Sequence, residues 1–140
     1  RTLRKRSDDM AVRGIRGATT AVSNTKEEIV DKTKEMLETL VRLNNLSVED
    51  IVSAIFSVTN DLDAEFPAVA ARKLGWIYTP LFCTLEIPVK GSLRSCIRVL
   101  VHVNSDRRQE EMKHVYLHEA NKLRPDLGTD SIDKFYTSEK

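Results

Sequence analysis

VRGIRGATT, residues 12–20, joins a short apolar strand pattern to two glycines and two arginines. We predict a short strand over residues 12–16, where an apolar stretch leads into the two glycines. Glycine has no Cβ, so Gly14 and Gly17 allow another group to approach the backbone closely. Arg16 therefore stands where a ligand can meet the backbone. Its guanidinium suits a planar carboxylate, since its donors form a fixed fork.

A long helix follows this strand. Thr25 and Glu28 have the spacing of a capping box, and apolar residues recur at helical spacing over residues 29–41. Charged residues fall between them, which predicts one buried face and one solvated face. The helix ends at residues 44–45, and we expect it to cover one face of a sheet.

The rest of the chain mixes strand and helix patterns. The predicted elements are a strand at 51–59, a short helix at 63–74, strands at 81–87 and 96–103 joined as a hairpin by a glycine turn, and a last strand at 114–118. This order indicates an α+β fold, a mixed β-sheet with helices on one face. Because so few helices cannot cover both faces, the pattern also predicts an oligomer.

Length, charge and cysteine usage limit the classes of protein. The chain has 140 residues, enough for one domain, and its formal charge of +1 argues against nucleic acid or a membrane as partner. Cys83 and Cys96 lie in apolar runs, so we interpret them as reduced thiols of a cytoplasmic protein. We expect a folded domain at 10–127, a disordered basic extension at 1–9 rather than a nucleic-acid-binding arm, and a flexible polar tail at 128–140.

Five charged residues interrupt segments that otherwise predict a buried strand or helix: Arg16, Arg72, Glu86, Arg98 and Arg124. An unpaired charge in such a place is costly, so each must meet another charge or a ligand. Glu86 and Arg98, in neighbouring strands of the predicted hairpin, fit either a structural ion pair or a ligand site. Arg16 and Arg72 leave excess positive charge, which favours an anion with two carboxylates.

Other chemistries have little support in the sequence. Tyr116 alternates with apolar neighbours, so it projects to the opposite face, as a ligand contact or as a core tyrosine. His114 and His118 have no third ligand at zinc-site spacing, and Cys83 has no histidine and carboxylate placed beside it. P-loop, dinucleotide and nucleophile-elbow motifs are missing too. We therefore expect no metal and no cofactor, and the lack of an obvious nucleophile favours a reaction that needs none.

These residues, in this order, resemble the monofunctional, trimeric, AroH-like class of chorismate mutases. The likeness runs from about residue 12 to residue 126 and includes RGIRGATT at 13–20, FPA at 66–68, Arg72, GW at 75–76, Cys83, Glu86, CIRV at 96–99, HVYL at 114–117 and LRPD at 123–126. The resemblance implies a homotrimeric pseudo-α/β barrel with three active sites between subunits. It also implies that the domain at residues 10–127 catalyses the Claisen rearrangement of chorismate to prephenate, on the route to phenylalanine and tyrosine.

The resemblance also implies roles for single residues. Arg98 would reach the breaking ether oxygen and one carboxylate, and Glu86 would accept the ring hydroxyl. Arg16 and Tyr116 would hold the carboxylate side of the substrate. The other substrate-binding residues would be Phe66, Ala68 and Arg72 from a neighbouring subunit, with Leu81, Phe82, Cys83 and Leu123 in the pocket walls.

Two residues depart from the pattern of the family. Val69 stands where a lysine can occur, and Phe82 replaces a small hydroxyl residue. These departures affect the outer charge and the shape of the expected pocket. The alternative function is a trimeric small-carboxylate-binding or imine deaminase-like protein of similar architecture, from which the set of Glu86, Arg98 and Tyr116 separates this chain.

Overall fold

The computed structural model describes residues 10–124, which form a five-stranded mixed sheet with two α-helices. The strands are β1 (Ala11–Thr20), β2 (Ile51–Val58), β3 (Leu81–Leu85), β4 (Cys96–Ser105) and β5 (Val115–Tyr116), and the helices are α1 (Lys26–Asn44) and α2 (Ala68–Lys73). The predicted α+β class and the order of the elements are confirmed. The predicted tails, 1–9 and 128–140, lie outside the described residues.

The strands lie in the order β3-β2-β4-β1-β5. β4 runs antiparallel to both of its neighbours, whereas the two edge strands, β3 and β5, run parallel to theirs. The predicted hairpin between 81–87 and 96–103 is therefore wrong, because β2 lies between the two strands. β3 ends early, at Leu85, and the connection to Cys96 is longer than the loops that hold hairpin strands together.

α1 covers one face of the sheet, as predicted. At its start the Thr25 hydroxyl accepts the Glu28 N–H at 3.2 Å, and the Glu28 carboxylate accepts the Val22 N–H at 2.8 Å. Asn45 ends the helix in the left-handed region, with φ 52°. Buried side chains of α1 then pack with those of the sheet into the main core, which includes Ile29, Met36, Leu37, Leu40, Ile15, Phe56, Val99, Val101 and Trp76.

Gly17 of β1 serves this helix packing. β1 does not stop at residue 16, as predicted, but continues to Thr20. A Cβ on Gly17 would lie 3.0 Å from Val99 Cγ1, 3.3 Å from Met36 Cγ and 3.4 Å from Leu40 Cδ1. The group that approaches the backbone at Gly17 is therefore α1 together with β4, and the expectation of a ligand there is wrong.

Two other predicted elements are shorter than expected. The predicted helix at 63–74 begins only at Ala68, because the Asn24 side chain holds the preceding turn by accepting the N–H groups of Asp63 and Ala64, both at 3.0 Å. The predicted strand at 114–118 is reduced to Val115–Tyr116. A short 3₁₀ helix follows it, beginning at His118.

Within residues 10–124, no helix covers the other face of the sheet. Large apolar side chains remain exposed on and after β2 and β3, among them Ile55, Phe82, Leu85, Ile87 and Val89. Phe82 is 65% exposed. Such a surface is typical of a protein interface, and the oligomer stays a prediction. Within residues 10–124, neither helix is long and apolar enough to cross a membrane.

Candidate active site

A cavity of about 230 Å³ opens on the sheet face opposite α1. Strand register brings its polar residues together. Ser57 of β2 lies opposite Arg98 of β4, and Arg16 of β1 lies opposite Leu100 of β4. Glu86 follows β3 directly, and its N–H donates to the Val58 carbonyl at 2.9 Å. The cavity is lined by Arg16, Ile55, Ser57, Glu86, Arg98, Val99 and Leu100.

The Arg98 guanidinium is only partly satisfied by the protein. Its Nε lies 3.8 Å from Glu86 Oε1, close enough for an ion pair and too far for a hydrogen bond. The same Glu86 oxygen accepts the Ser57 hydroxyl at 2.8 Å. Arg98 Nε is buried, and no described residue accepts its hydrogen. A buried donor left in this state costs roughly 1–3 kcal/mol, which is explained if a ligand accepts the bond.

The cavity also carries excess positive charge. Two guanidinium groups, Arg16 and Arg98, face one carboxylate, Glu86, and Arg16 makes no ion pair within the described part of the chain. The buried Cys96 thiol lies close enough to respond to all three. Burial raises its pKa, Arg98 and Arg16 oppose that rise, and Glu86 adds to it. The arrangement therefore favours an anionic ligand. The two alternatives from the sequence, a structural ion pair and a ligand site, do not exclude each other, because the Glu86–Arg98 ion pair lines the cavity.

Tyr116 and Leu123 lie beside this group. Tyr116 is 3% exposed and packs with Ala18, Cys96 and Ala120, and the partly buried Leu123 contacts the same cluster. Val115 belongs to the main core, so the predicted opposite orientation of Tyr116 is confirmed. Its ring is buried more completely than a half-buried tyrosine would be.

A second group of predicted residues lies at the edge of the sheet, around β3 and α2. Cys83 pairs with Phe56 of β2 and faces the main core together with Leu81. The Cys83 thiol interacts with the backbone of Ala68 and with the Arg72 charge, while burial raises its pKa. Phe66 and Cys83 line a separate cavity of about 340 Å³, which also includes Pro67 and Leu85.

One described chain therefore does not unite all the predicted site residues. Arg72 is exposed on α2 beside Cys83 and does not line the cavity that holds Arg16 and Arg98. Arg124 is exposed as well. The prediction that these two arginines stand in buried segments is wrong, because the short helix has one solvated side and Arg124 follows the last described turn. Phe82, paired with Ile55, lies on the uncovered sheet face.

The sequence analysis missed two residues of the site. Ser57 holds Glu86, and its place between apolar residues of β2 on the cavity face was the available signal. His114 accepts the Arg16 N–H on Nδ1 at 2.9 Å. Burial lowers the pKa of His114, and the charges of Arg16 and Arg124 lower it further. The sequence analysis had weighed His114 only as a metal ligand, and within residues 10–124 no cluster could hold a metal ion.

The fold and the cavity define a class, a small α+β protein that offers two guanidinium groups and one carboxylate to an anion. The family model for chorismate mutase type I matches residues 12–127. The chorismate mutase AroH of Bacillus subtilis is 49% identical over 120 residues, covering 85% of this chain and 94% of that protein. The chorismate mutase AroH of Thermus thermophilus is 48% identical over 117 residues, covering 83% and 96%.

A solved structure agrees with these relatives. The chorismate mutase from Clostridium thermocellum has a TM-score of 0.77 and 52% identity, and the match covers 78% of this chain and 97% of that one. The chain belongs to the chorismate mutase type I family. The resemblance stated from the sequence is confirmed, and the protein is an isomerase of aromatic amino acid biosynthesis rather than an imine deaminase-like protein.

Proposed function

We propose that this chorismate mutase rearranges chorismate to prephenate at a site shared between two copies of the chain. One copy supplies Arg16, Glu86 and Arg98 from the cavity on the uncovered sheet face. The second copy supplies Arg72 with its neighbours on α2. The observation that carries the proposal is the buried Arg98 Nε without an acceptor among the described residues, in a cavity with excess positive charge.

The reaction requires a folded conformer of the substrate. Chorismate carries two carboxylates, one of them on a flexible enolpyruvyl arm, and the new bond forms only when the arm lies over the ring. Arg16 and Arg98 bind carboxylates of the substrate, and Arg72 of the second copy is the third guanidinium group of the site. Holding both reacting carbons in place lowers the entropic part of the barrier. Glu86, fixed by Ser57, accepts the ring hydroxyl and orients the ring.

Arg98 then stabilises the transition state. As the carbon–oxygen bond breaks, the ether oxygen gains negative charge, so a guanidinium N–H aimed at it binds more strongly than in the ground state. The Ser57 hydroxyl donates to the Glu86 carboxylate, and this carboxylate in turn positions the Arg98 side chain through the ion pair before the substrate arrives. The carbon–oxygen bond of the substrate breaks as its new carbon–carbon bond forms, without proton transfer and without a bond to the enzyme, so a site of fixed charges is sufficient.

The exposed surfaces support association with further copies of the chain, for which the resemblance to the family implies a trimer with sites between its subunits. Phe82 and Ile87 leave the apolar edge of the sheet open to solvent in a single chain. Phe66 is 68% exposed although it lies next to the second cavity. Packing this edge against the uncovered face of another copy would bury both and bring Arg72 to the Arg98 cavity.

The remaining predicted residues form the walls of this shared site. Ala68, Leu81 and Cys83 line the α2 side, Phe82 extends the wall on the uncovered sheet face, and Leu123 and Tyr116 close the end near Cys96. Relative to the pattern of the family, Phe82 adds bulk and Val69 removes a positive charge, so the two residues change the shape and the outer charge of the site. The boundaries of the domain at 10–127 and the cytoplasmic location stay predictions.

Mixing two inactive variants tests the shared site. Arg98→Ala and Arg72→Ala each damage a different half of the site, so each protein alone should be nearly inactive. After dissociation and random reassembly in equal amounts, about one quarter of the sites in a cyclic trimer should carry both intact arginines. Activity should return to roughly that fraction of the wild-type value.

The controls decide between the outcomes. Native mass spectrometry of differently tagged chains establishes that subunits have exchanged. If exchanged mixtures stay inactive, the two arginines do not act at one shared site. If Arg72→Ala alone keeps wild-type activity, the second copy does not supply an essential charge.

A further inference from the structure

His114 extends the pairing of β1 with β5 by a side-chain bond. The backbone pairing begins at Gly17 and Val115, and one position earlier on each strand the Arg16 N–H donates to His114 Nδ1 at 2.9 Å. The imidazole thus takes the place of a backbone carbonyl. The bond is partly buried, and it fixes the main chain of the residue whose side chain lines the cavity.

This bond requires one form of the imidazole. Nδ1 accepts a hydrogen only when it carries no proton, so His114 must be neutral with its proton on Nε2. Protonation would turn Nδ1 into a donor facing the Arg16 N–H. It would also add a positive charge close to the guanidinium groups of Arg16 and Arg124.

We propose that His114 is a positioning residue, which in its neutral form holds β1 so that the Arg16 guanidinium meets the substrate carboxylate. This inference rests on the proposed function of Arg16 as a carboxylate ligand. Protonated His114 releases the Arg16 main chain, and the enzyme then binds chorismate less tightly. The residue acts through Arg16 and does not itself touch the substrate.

The surroundings of His114 favour the neutral form. Among the described residues, the charged groups that act on the imidazole are Arg16 from β1 and Arg124 from the segment after the last 3₁₀ helix, both cationic. The end of α1 contributes the uncharged Asn44, whose side chain bonds the Lys113 N–H at 2.8 Å and the Lys113 carbonyl at 2.9 Å. Burial and the two cations lower the pKa of His114 below its usual 6.5.

Two substitutions of His114 distinguish the loss of the hydrogen-bond acceptor from the loss of the group that titrates. In His114→Asn the amide oxygen takes the position of Nδ1 and cannot be protonated near neutral pH. In His114→Leu the acceptor is lost. His118→Asn, a matched change at a histidine whose Nε2 pairs with Glu35 at 2.8 Å, is the control and should keep the wild-type pH profile.

The assay is chorismate consumption from pH 7.5 to pH 5. At pH 7.5 His114→Leu should lower kcat/KM roughly tenfold, mainly through KM, because a partly buried N–H loses its acceptor. Wild-type kcat/KM should fall as the pH drops below 6.5, and His114→Asn should keep its activity over that interval. Nitrogen NMR of the wild-type imidazole should report an unprotonated Nδ1 at pH 7.5, independently of activity.

The outcomes separate this inference from the proposed function. If Arg16→Ala is fully active, the proposed role of Arg16 fails. If Arg16→Ala is impaired while His114→Asn retains the wild-type acid limb, the positioning role of His114 alone is overturned. Should His114→Leu not fold, the comparison of His114→Asn with the wild type across pH decides by itself.

Discussion

Arg98→Ala should lower kcat strongly and leave the fold intact. An enzyme at the modest end of known accelerations, about 10⁶-fold, must lower the barrier by about 8 kcal/mol. Losing one donor to developing charge typically costs about 2.7–4 kcal/mol, so this single side chain should account for a third to a half of the total. We therefore expect kcat to fall roughly 10²- to 10³-fold.

The structure explains why stability should change little. The Arg98 side chain is 19% exposed, and its contact with Glu86 is a 3.8 Å ion pair without a hydrogen bond. After the substitution Glu86 still accepts the hydrogen bond from the Ser57 hydroxyl, and its side chain is 31% exposed to water. A partly exposed pair of this kind stabilises the fold by no more than about 1 kcal/mol.

The assay follows the ultraviolet absorbance of chorismate and, separately, thermal unfolding by circular dichroism. Arg108→Ala is the matched control, since the Arg108 side chain is 71% exposed and its ion pair is with the exposed Glu110. It should keep wild-type kcat. Near wild-type turnover by Arg98→Ala, with its fold intact, would refute the electrostatic role assigned to Arg98.

Three further predictions test the supports of the site. Ser57→Ala should lower kcat about fivefold, because Glu86 loses the hydrogen bond from the Ser57 hydroxyl. The control is Ser53→Ala, on the same strand face with a bond to His102, which should keep wild-type kcat. Equal losses of chorismate turnover in both variants would contradict the role of Ser57 in holding Glu86. Gly17→Ala should destabilise the fold by roughly 1–3 kcal/mol in urea unfolding, whereas Gly14→Ala, whose Cβ would meet Leu100 at an ordinary 3.6 Å, should change stability far less. The pKa of His114 is lower in the folded state, so the unfolded state binds more protons and the free energy of unfolding should fall as the pH drops below 6.5. His114→Asn should make the free energy of unfolding depend less steeply on pH in unfolding titrations. An unchanged pH dependence would exclude His114 as its source.

Local patterns predicted the elements well because their causes are local. The apolar spacing and the Thr25 cap determine α1, and the apolar residues of β2 predict a buried strand. Strand pairing was predicted less well. Nothing near residues 81–103 indicates that β2 enters between the two strands, since that arrangement depends on partners distant in sequence.

The site followed the same division. Charges in apolar segments identified Arg16, Glu86 and Arg98, because the cost of burying a charge is visible in sequence. Arg72 has the same sequence signal but stands on the exposed side of a six-residue helix, where no such cost arises. His114 was missed because its partner is a backbone N–H, which no residue pattern reveals.

The pairing of β1 with β4 has a consequence for how the chain folds. Thr20 pairs with Cys96 and Ala11 with Ser105, so even the nearest partners are about 76 positions apart. On the ribosome the first strand must therefore wait for most of the polypeptide before it finds its neighbour. Because so long a loop must close before this contact can form, we expect refolding to be slow for a chain of this size.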